Sequence, residues 1–324
     1  MGKTFGLVLS AGISALALSA GGASAKDLVF GLIANNMAFP YNVVLADGFK
    51  EQAAAKGVKV IVLDSKMSME TQANQMDDLL LQKVDGIAFM PNDSVAVTSL
   101  VDKVAAAGVP IVASAVPVGD PAKTPVDYVY PALTALVSTN DVDAGRIAGE
   151  YSANLLPKDR EVKIAVVEGA PGFSVVGQRE QGFEAALKKA GIQYKIVSSQ
   201  PSDWTPESGE QICQNALTSD PDIDMIFSHA DDMALGCAKA IDAAGSQALL
   251  IATGGGSDRG ANAIKLDEID ASVCTQPKLI GAKSFDILYA AATDPASAKK
   301  GQYVSYDMFA VTKDNLANCP LTGW

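Results

Sequence analysis

A single histidine, His229, and four cysteines without a CxxC pair are all the imidazole and thiol ligands this 324-residue chain carries. Metal binding wants closer spacing and more histidine, so a zinc centre is excluded and no metal is expected. No GxxxxGK[ST] loop is present anywhere, which removes the P-loop nucleotide enzymes. The run Gly254-Gly255-Gly256 comes nearest to a phosphate loop, but Arg259 stands where the third glycine of a GxGxxG fingerprint belongs. No GxSxG elbow occurs either, and no nucleophile has a histidine beside it in a recognised pattern. Basic residues are scarce, with 25 Lys and Arg against 37 Asp and Glu and a net charge of −12. Nucleic acid and anionic lipid are poor partners for such a surface. Beyond the first residues, no apolar run is long enough to cross a membrane.

What is present begins with Lys3, an apolar stretch from Phe5 to about Ala20, and "GGASA" before Lys26. A positive start, a short hydrophobic core and an Ala-Ser-Ala site are the parts of a secretory signal peptide, with cleavage expected after Ala25. In an exported chain an even number of cysteines favours disulfides. Cys213, Cys237, Cys274 and Cys319 allow three pairings. Cys213 with Cys237 and Cys274 with Cys319 is preferred, because the first two fall on successive helices of one domain.

From Leu28 onward, short apolar runs alternate with amphipathic segments: "LVFGLIA", a helix over 41–56, "VKVIVL", a helix over 69–83, "DGIAFM", a helix over 94–107 and "VPIVASA". Continuous apolar strands between helices imply parallel strands covered on both faces. After an irregular stretch holding Pro117, Pro121, Pro125 and Pro131, the rhythm restarts at "VKIAVVE" and runs to "IDASVCT". Its helices are read over 174–190, 206–218 and 231–244. Two sets of βα units in one chain predict two doubly wound α/β domains side by side.

Ligands of open parallel sheets sit outside the carboxyl ends of the strands. The residues just after each apolar run are Asn35 and Asn36, 91–94, Ser114, 169–174, Trp204, 229–232, 254–257, and Thr275 with Gln276. They come from both halves, so a shared ligand would lie between the domains. The glycines of "IATGGGSDRGANAI" then serve close approach to a ligand or a turn of positive φ, and the phosphate reading is set aside.

The stretches "FPYNVVLADGFKEQAAAKGVKVIVLDS", "NDSVAV", "GVPIV", "REQGFEAAL", "SQPSDW", "DDMALGCAKAIDAAG" and "QPKLIGAKS" together resemble the ribose-binding-protein family, the type I periplasmic solute receptors of ABC transporters. The resemblance spans essentially the whole mature chain. It implies two Rossmann-like lobes joined by a three-segment hinge, with segments near Asn140, Gln276 and Tyr303. The first lobe takes residues 26–139 and 277–303, and the second takes 140–276 and 304–324. It also implies no enzymatic step, no cofactor, a monomer in the periplasm, and a membrane permease that receives a small neutral sugar, polyol or sugar-like solute. A non-sugar metabolite and a chemosensory role stay open as alternatives.

The aromatic platforms of the family have counterparts in Tyr41 and Trp204, while Phe39 reads as a third face or a core contact. The polar clamp of a ribose site does not carry over. Ala115 and Val116 replace an Asp-Arg pair, and Gly177, Ala230, Gly255 and Thr275 stand at other polar positions of the family. Substitute polar contacts are expected from Asn35, Asn36, Asn42, Ser114, Ser174, His229, Ser257 and Gln276, with Gly255 and Thr275 lining or widening the cleft. Asp231 and Asp141 are read as helix caps, and Arg179 as a brace within its lobe.

Overall fold

The computed structural model describes residues 1–3, 27–120, 122–296 and 299–320. The leader read over residues 1–25 and its cleavage after Ala25 lie outside them, save the first three residues.

The apolar runs of the first half become strands with helices between them: β1 (Val29–Ala34), α1 (Pro40–Lys56), β2 (Lys59–Asp64), α2 (Met69–Leu81), β3 (Gly86–Phe89), α3 (Thr98–Ala106), β4 (Ile111–Ser114) and β5 (Ala135–Val137). The second half contributes α4 (Asp141–Leu155), β6 (Val162–Glu168), α5 (Ser174–Lys189), β7 (Tyr194–Pro201), α6 (Pro206–Ser219), β8 (Met225–Ser228), α7 (Asp231–Ala244), β9 (Leu249–Ala252), α8 (Asp258–Lys265) and β10 (Ser272–Val273). Then follow α9 (Pro277–Thr293), β11 (Gln302–Val304) and β12 (Ala310–Val311). Most helices begin and end where the sequence predicts. Helix α3 starts four residues late, at Thr98, because residues 92–97 form a loop that reaches toward the other sheet.

A parallel six-stranded sheet has the order β11-β5-β4-β3-β1-β2, and a parallel four-stranded sheet has the order β7-β6-β8-β9. The antiparallel pair β10-β12 joins the second sheet's edge through bridges from Ile251 to Ala271 and from Gly255 to Cys274. Each sheet is covered on both faces. Phe30, Phe49 and Phe285 fill one side of the first, and Phe183 and Phe227 stack at 4.0 Å in the second. Burial of such aromatic area is the main favourable term in each core.

The chain passes between the sheets three times, after β5, after β10 and after β11. Helix α9 returns to the first sheet, where it meets α1 backbone to backbone. A Cβ on Gly48 would strike the carbonyl of Lys278, and one on Gly281 that of Leu45, so only glycine permits the approach. Tyr306 fastens the crossovers to one another. Its hydroxyl lies 3.0 Å from Thr139 Oγ1 and accepts from the Gln276 N–H at 2.9 Å.

The sulfurs of Cys213 and Cys237 are 1.96 Å apart and join α6 to α7, while those of Cys274 and Cys319 are 2.00 Å apart. Both pairs are those preferred from the sequence. Among the described residues no helix is long and apolar enough to cross a membrane.

Candidate ligand-binding cleft

Between the two sheets, at the carboxyl ends of their strands, lies a cleft of about 770 Å³, mouth included. The walls come from both halves of the chain. Of the residues expected from the sequence, Asn35, Phe39, Tyr41, Asn42 and Trp204 line it.

Asn35 follows β1 and Asn42 lies in the first turn of α1, so one loop sets the two amides together. The Asn42 Nδ2 group donates to Asn35 Oδ1 at 2.5 Å and to Asn36 O at 2.7 Å. Tyr41 keeps its ring at the cleft while its hydroxyl end is buried beside Thr139, which pushes its pKa well above 10.0. On the opposite wall Trp204 holds a left-handed φ of 69°. Its ring rests where a Cβ on Gly169 would lie, and it meets Phe173 edge-on at 6.0 Å. Ala115, also a lining residue, has φ 65°. Backbone held in this sparsely populated region by its surroundings is common at ligand sites.

The most charged part of the wall was read as bracing and capping. Arg179 Nε donates to Asp141 Oδ1 at 2.7 Å, its Nη1 donates to His229 O, and its guanidinium stands 5.9 Å from the Trp204 ring. Both charges are taken out of water, with side chains 11 % and 1 % exposed, yet both line the cleft. Burial pushes the Asp141 carboxyl above its usual range, and the guanidinium pulls it back down. Asp141 does not cap α4: Asn140 does, by accepting from the Asp143 N–H at 3.1 Å. Arg179 therefore braces the lobe, as expected, and faces the cleft as well.

The remaining expected residues do not line the cleft, and their own partners explain why. Asn36 Oδ1 accepts from the Ala38 N–H, holding the loop before α1. Ser114 Oγ lies 2.8 Å from Ser284 Oγ and ties β4 to α9. Ser174 Oγ lies 3.0 Å from Ser94 Oγ, a direct contact between the halves that the Ser94 N–H reinforces by donating to Gly172 O at 3.2 Å. His229 is fully buried, its Nδ1 accepting from the Gly169 N–H at 3.3 Å. Burial beside Arg179 holds its pKa well below 6.5 and the ring neutral. Ser257 caps α8 and donates to Asp231 Oδ2 at 3.0 Å. Gly255 is pressed against Ser272 and Val273, and Thr275 Oγ1 donates to Gly255 O at 2.5 Å. Of the three glycines only Gly254 reaches the cleft, so the run chiefly serves packing against β10. Gln276 opens α9, and its main chain is held by Tyr306.

Several lining residues were not singled out as contacts. Phe173, Ala230 and Asp232 fall in the strand-end windows and were findable by that rule, while Gly254 is one of the glycines expected to line or widen the cleft. Met90 directly follows β3 but is hidden by the apolar run "DGIAFM", which places it inside the strand, while Thr139 in a crossover and Val175 in a helix gave no such signal.

Asp231 does not cap α7; that position is Ala230, and Asp231 sits fully buried in the first turn. Its carboxylate accepts from Ser272 Oγ at 2.6 Å and from Ser257 Oγ at 3.0 Å. Burial outweighs these bonds and raises its pKa from 3.8 to about 7, and burial raises Glu180 from 4.5 to about 7. Across that window the folded chain holds protons that the unfolded chain has shed, so stability falls as pH rises toward 7. His229, kept neutral when folded, acts in the opposite sense below 6.5, but it stands against Asp231 and Glu180 and against Asp141, Asp232 and Asp270, all raised by burial. Urea midpoints measured from pH 5 to pH 8 are expected to decline, and Asp231→Asn to flatten the decline. Midpoints that rise over this range would contradict the assignment.

Among the described residues no cluster of three or more histidine, cysteine or acidic side chains is placed to hold a metal ion. A family profile described as the periplasmic binding protein domain matches residues 30–296. The chain belongs to that family. The ribose import binding protein of Bacillus subtilis is 32% identical over 279 residues, covering 86% of this chain and 84% of that protein. The D-allose-binding periplasmic protein of Escherichia coli is 26% identical over 265 residues, covering 80% of this chain and 83% of its own. A solved ABC transporter solute binding protein from Bacillus halodurans, with bound myo-inositol, superposes with a TM-score of 0.80. It covers 91% of this chain and 98% of its own at 23% identity, which speaks for the two-lobed fold alone. As members of the periplasmic binding protein family do, this chain carries its cleft where two α/β lobes face each other.

Proposed function

We propose that the protein is the solute-binding component of an ABC importer, exported with cleavage after Ala25. It captures a small neutral sugar or polyol in the periplasm and presents it to a membrane permease. The single observation that carries this reading is a cleft between two lobes whose walls combine ring faces, Tyr41 and Trp204, with a preorganised amide pair, Asn35 and Asn42. Ring faces take the C–H face of a sugar, and amides take its hydroxyls. The lobes are residues 26–139 with 277–303 and residues 140–276 with 304–324. The Ser94–Ser174 contact belongs to the closed form, and solute contacts available only on closure shift the population toward it. The protein acts as a monomer, needs no cofactor and breaks no bond of its guest.

Small-angle scattering and tryptophan fluorescence across a panel of monosaccharides and polyols test this. A saturable spectral change accompanied by compaction toward the dimensions of this structure is the expected result. Saturable binding without either change argues against lobe closure, and turnover of a bound sugar argues for an enzyme.

A further inference from the structure

One part of the cleft wall presents only apolar side chains. Val116, Phe173 and Val175 form a single buried cluster drawn from both lobes, and all three line the cleft beside Ala115. The main chain offers little there. The Ala115 N–H donates to Val137 O at 2.8 Å, the Val116 N–H donates to Ser114 O at 2.8 Å, and Ala115 O accepts from Ser138 Oγ at 2.7 Å. Elsewhere the wall keeps polar valences open. Asn42 Nδ2 has both hydrogens engaged, which leaves Asn42 Oδ1 to accept and the second hydrogen of Asn35 Nδ2 to donate. Arg179 uses Nε and Nη1 on the protein and retains further donors for a guest.

We infer that the solute carries an apolar corner, a methyl group or a deoxygenated carbon, that seats against Val116 and Val175 while its hydroxyls meet Asn35–Asn42 and Asp141–Arg179. The ligand class is thus a neutral deoxy or methylated sugar, not a fully hydroxylated one. This rests on the solute-binding reading above and narrows it. A hydroxyl carried to that corner loses its water and finds no partner, which costs roughly tenfold in affinity.

Matched sugars that differ by one hydroxyl oxygen or by one methyl group test it: D-fucose against D-galactose, L-rhamnose against L-mannose, and methyl glycosides against the free sugars, compared by thermal shift and calorimetric titration. The deoxy or methylated member is expected to bind about tenfold tighter in the pair that fits the cleft. Val116→Thr, which places a hydroxyl at the corner with nearly the same shape, is expected to narrow that gap while lowering the melting temperature by only a few degrees, since the protein stays folded with one partly buried hydroxyl. A hydroxylated member that binds as tightly as its partner overturns the inference and leaves sugar binding intact. So does a preference that Val116→Thr leaves untouched. Absence of binding by every member of the panel overturns both readings.

Discussion

Replacing Arg179 by leucine is expected to lower folding stability by about 3–5 kcal/mol, because it leaves the Asp141 carboxyl buried without its cation. Asp141 is 1 % exposed, and among the described residues the guanidinium is the only cation that ion-pairs with it. The same substitution takes the Arg179 Nη1 donor from the His229 carbonyl, which keeps the Thr253 hydroxyl at 3.2 Å. Two buried acceptors thus lose a partner at one stroke. Urea denaturation of Arg179→Leu, Asp141→Asn and the double variant separates the contributions. If the pair acts as a unit, the double variant is less destabilised than the sum of the singles, since removing both charges also removes the unpaired one. Strict additivity would show that the two side chains do not interact. Arg179→Lys is not expected to rescue fully, because an ammonium lacks the fork that serves Asp141 and His229 together.

Trp204→Ala is expected to weaken solute binding by about a hundredfold, near 3 kcal/mol, since it removes the largest ring face of the cleft. The ring is seated over Gly169, flanked edge-on by Phe173 and set 5.9 Å from the Arg179 guanidinium, so its orientation is fixed before any ligand arrives. Preorganised flat area loses little conformational entropy on binding. Calorimetry is the appropriate readout, because the variant lacks the fluorophore that reports on the site. Trp204→Phe keeps a smaller face and is expected to fall between the two. Equal affinities for all three would place the guest elsewhere in the cleft.

The rhythm of buried strands and amphipathic helices was legible because parallel strands covered on both faces must be apolar throughout. No bounds for helix α4 follow from the sequence, since it comes soon after the proline-rich stretch and carries Asp143, Arg146 and Glu150 on half-buried turns while Asp141 is buried at its start. Strands β5 and β11 have three residues each, too short for periodicity to register. In the cleft, the aromatic and amide residues were found because they stand at strand ends or just inside a helix. Ser114, Ser257 and Thr275 stand at strand ends too, but a small hydroxyl there closes a bond within the lobe as readily as it meets a guest. Asp141 and Arg179 went the other way. The position of Asp141 near a crossover pointed to capping and the family resemblance around Arg179 to bracing, and only the three-dimensional arrangement shows that a buried pair can also form part of a wall.

Strands β11 and β12 are near neighbours in sequence yet complete different sheets, β11 at the edge beside β5 and β12 beside β10. Neither lobe can therefore finish folding until the last tenth or so of the chain has emerged. Cys319, which closes the loop begun at Cys274, lies in that same final stretch. Completion of one lobe well ahead of the other is denied to this topology, since both sheets wait on the same closing stretch of chain.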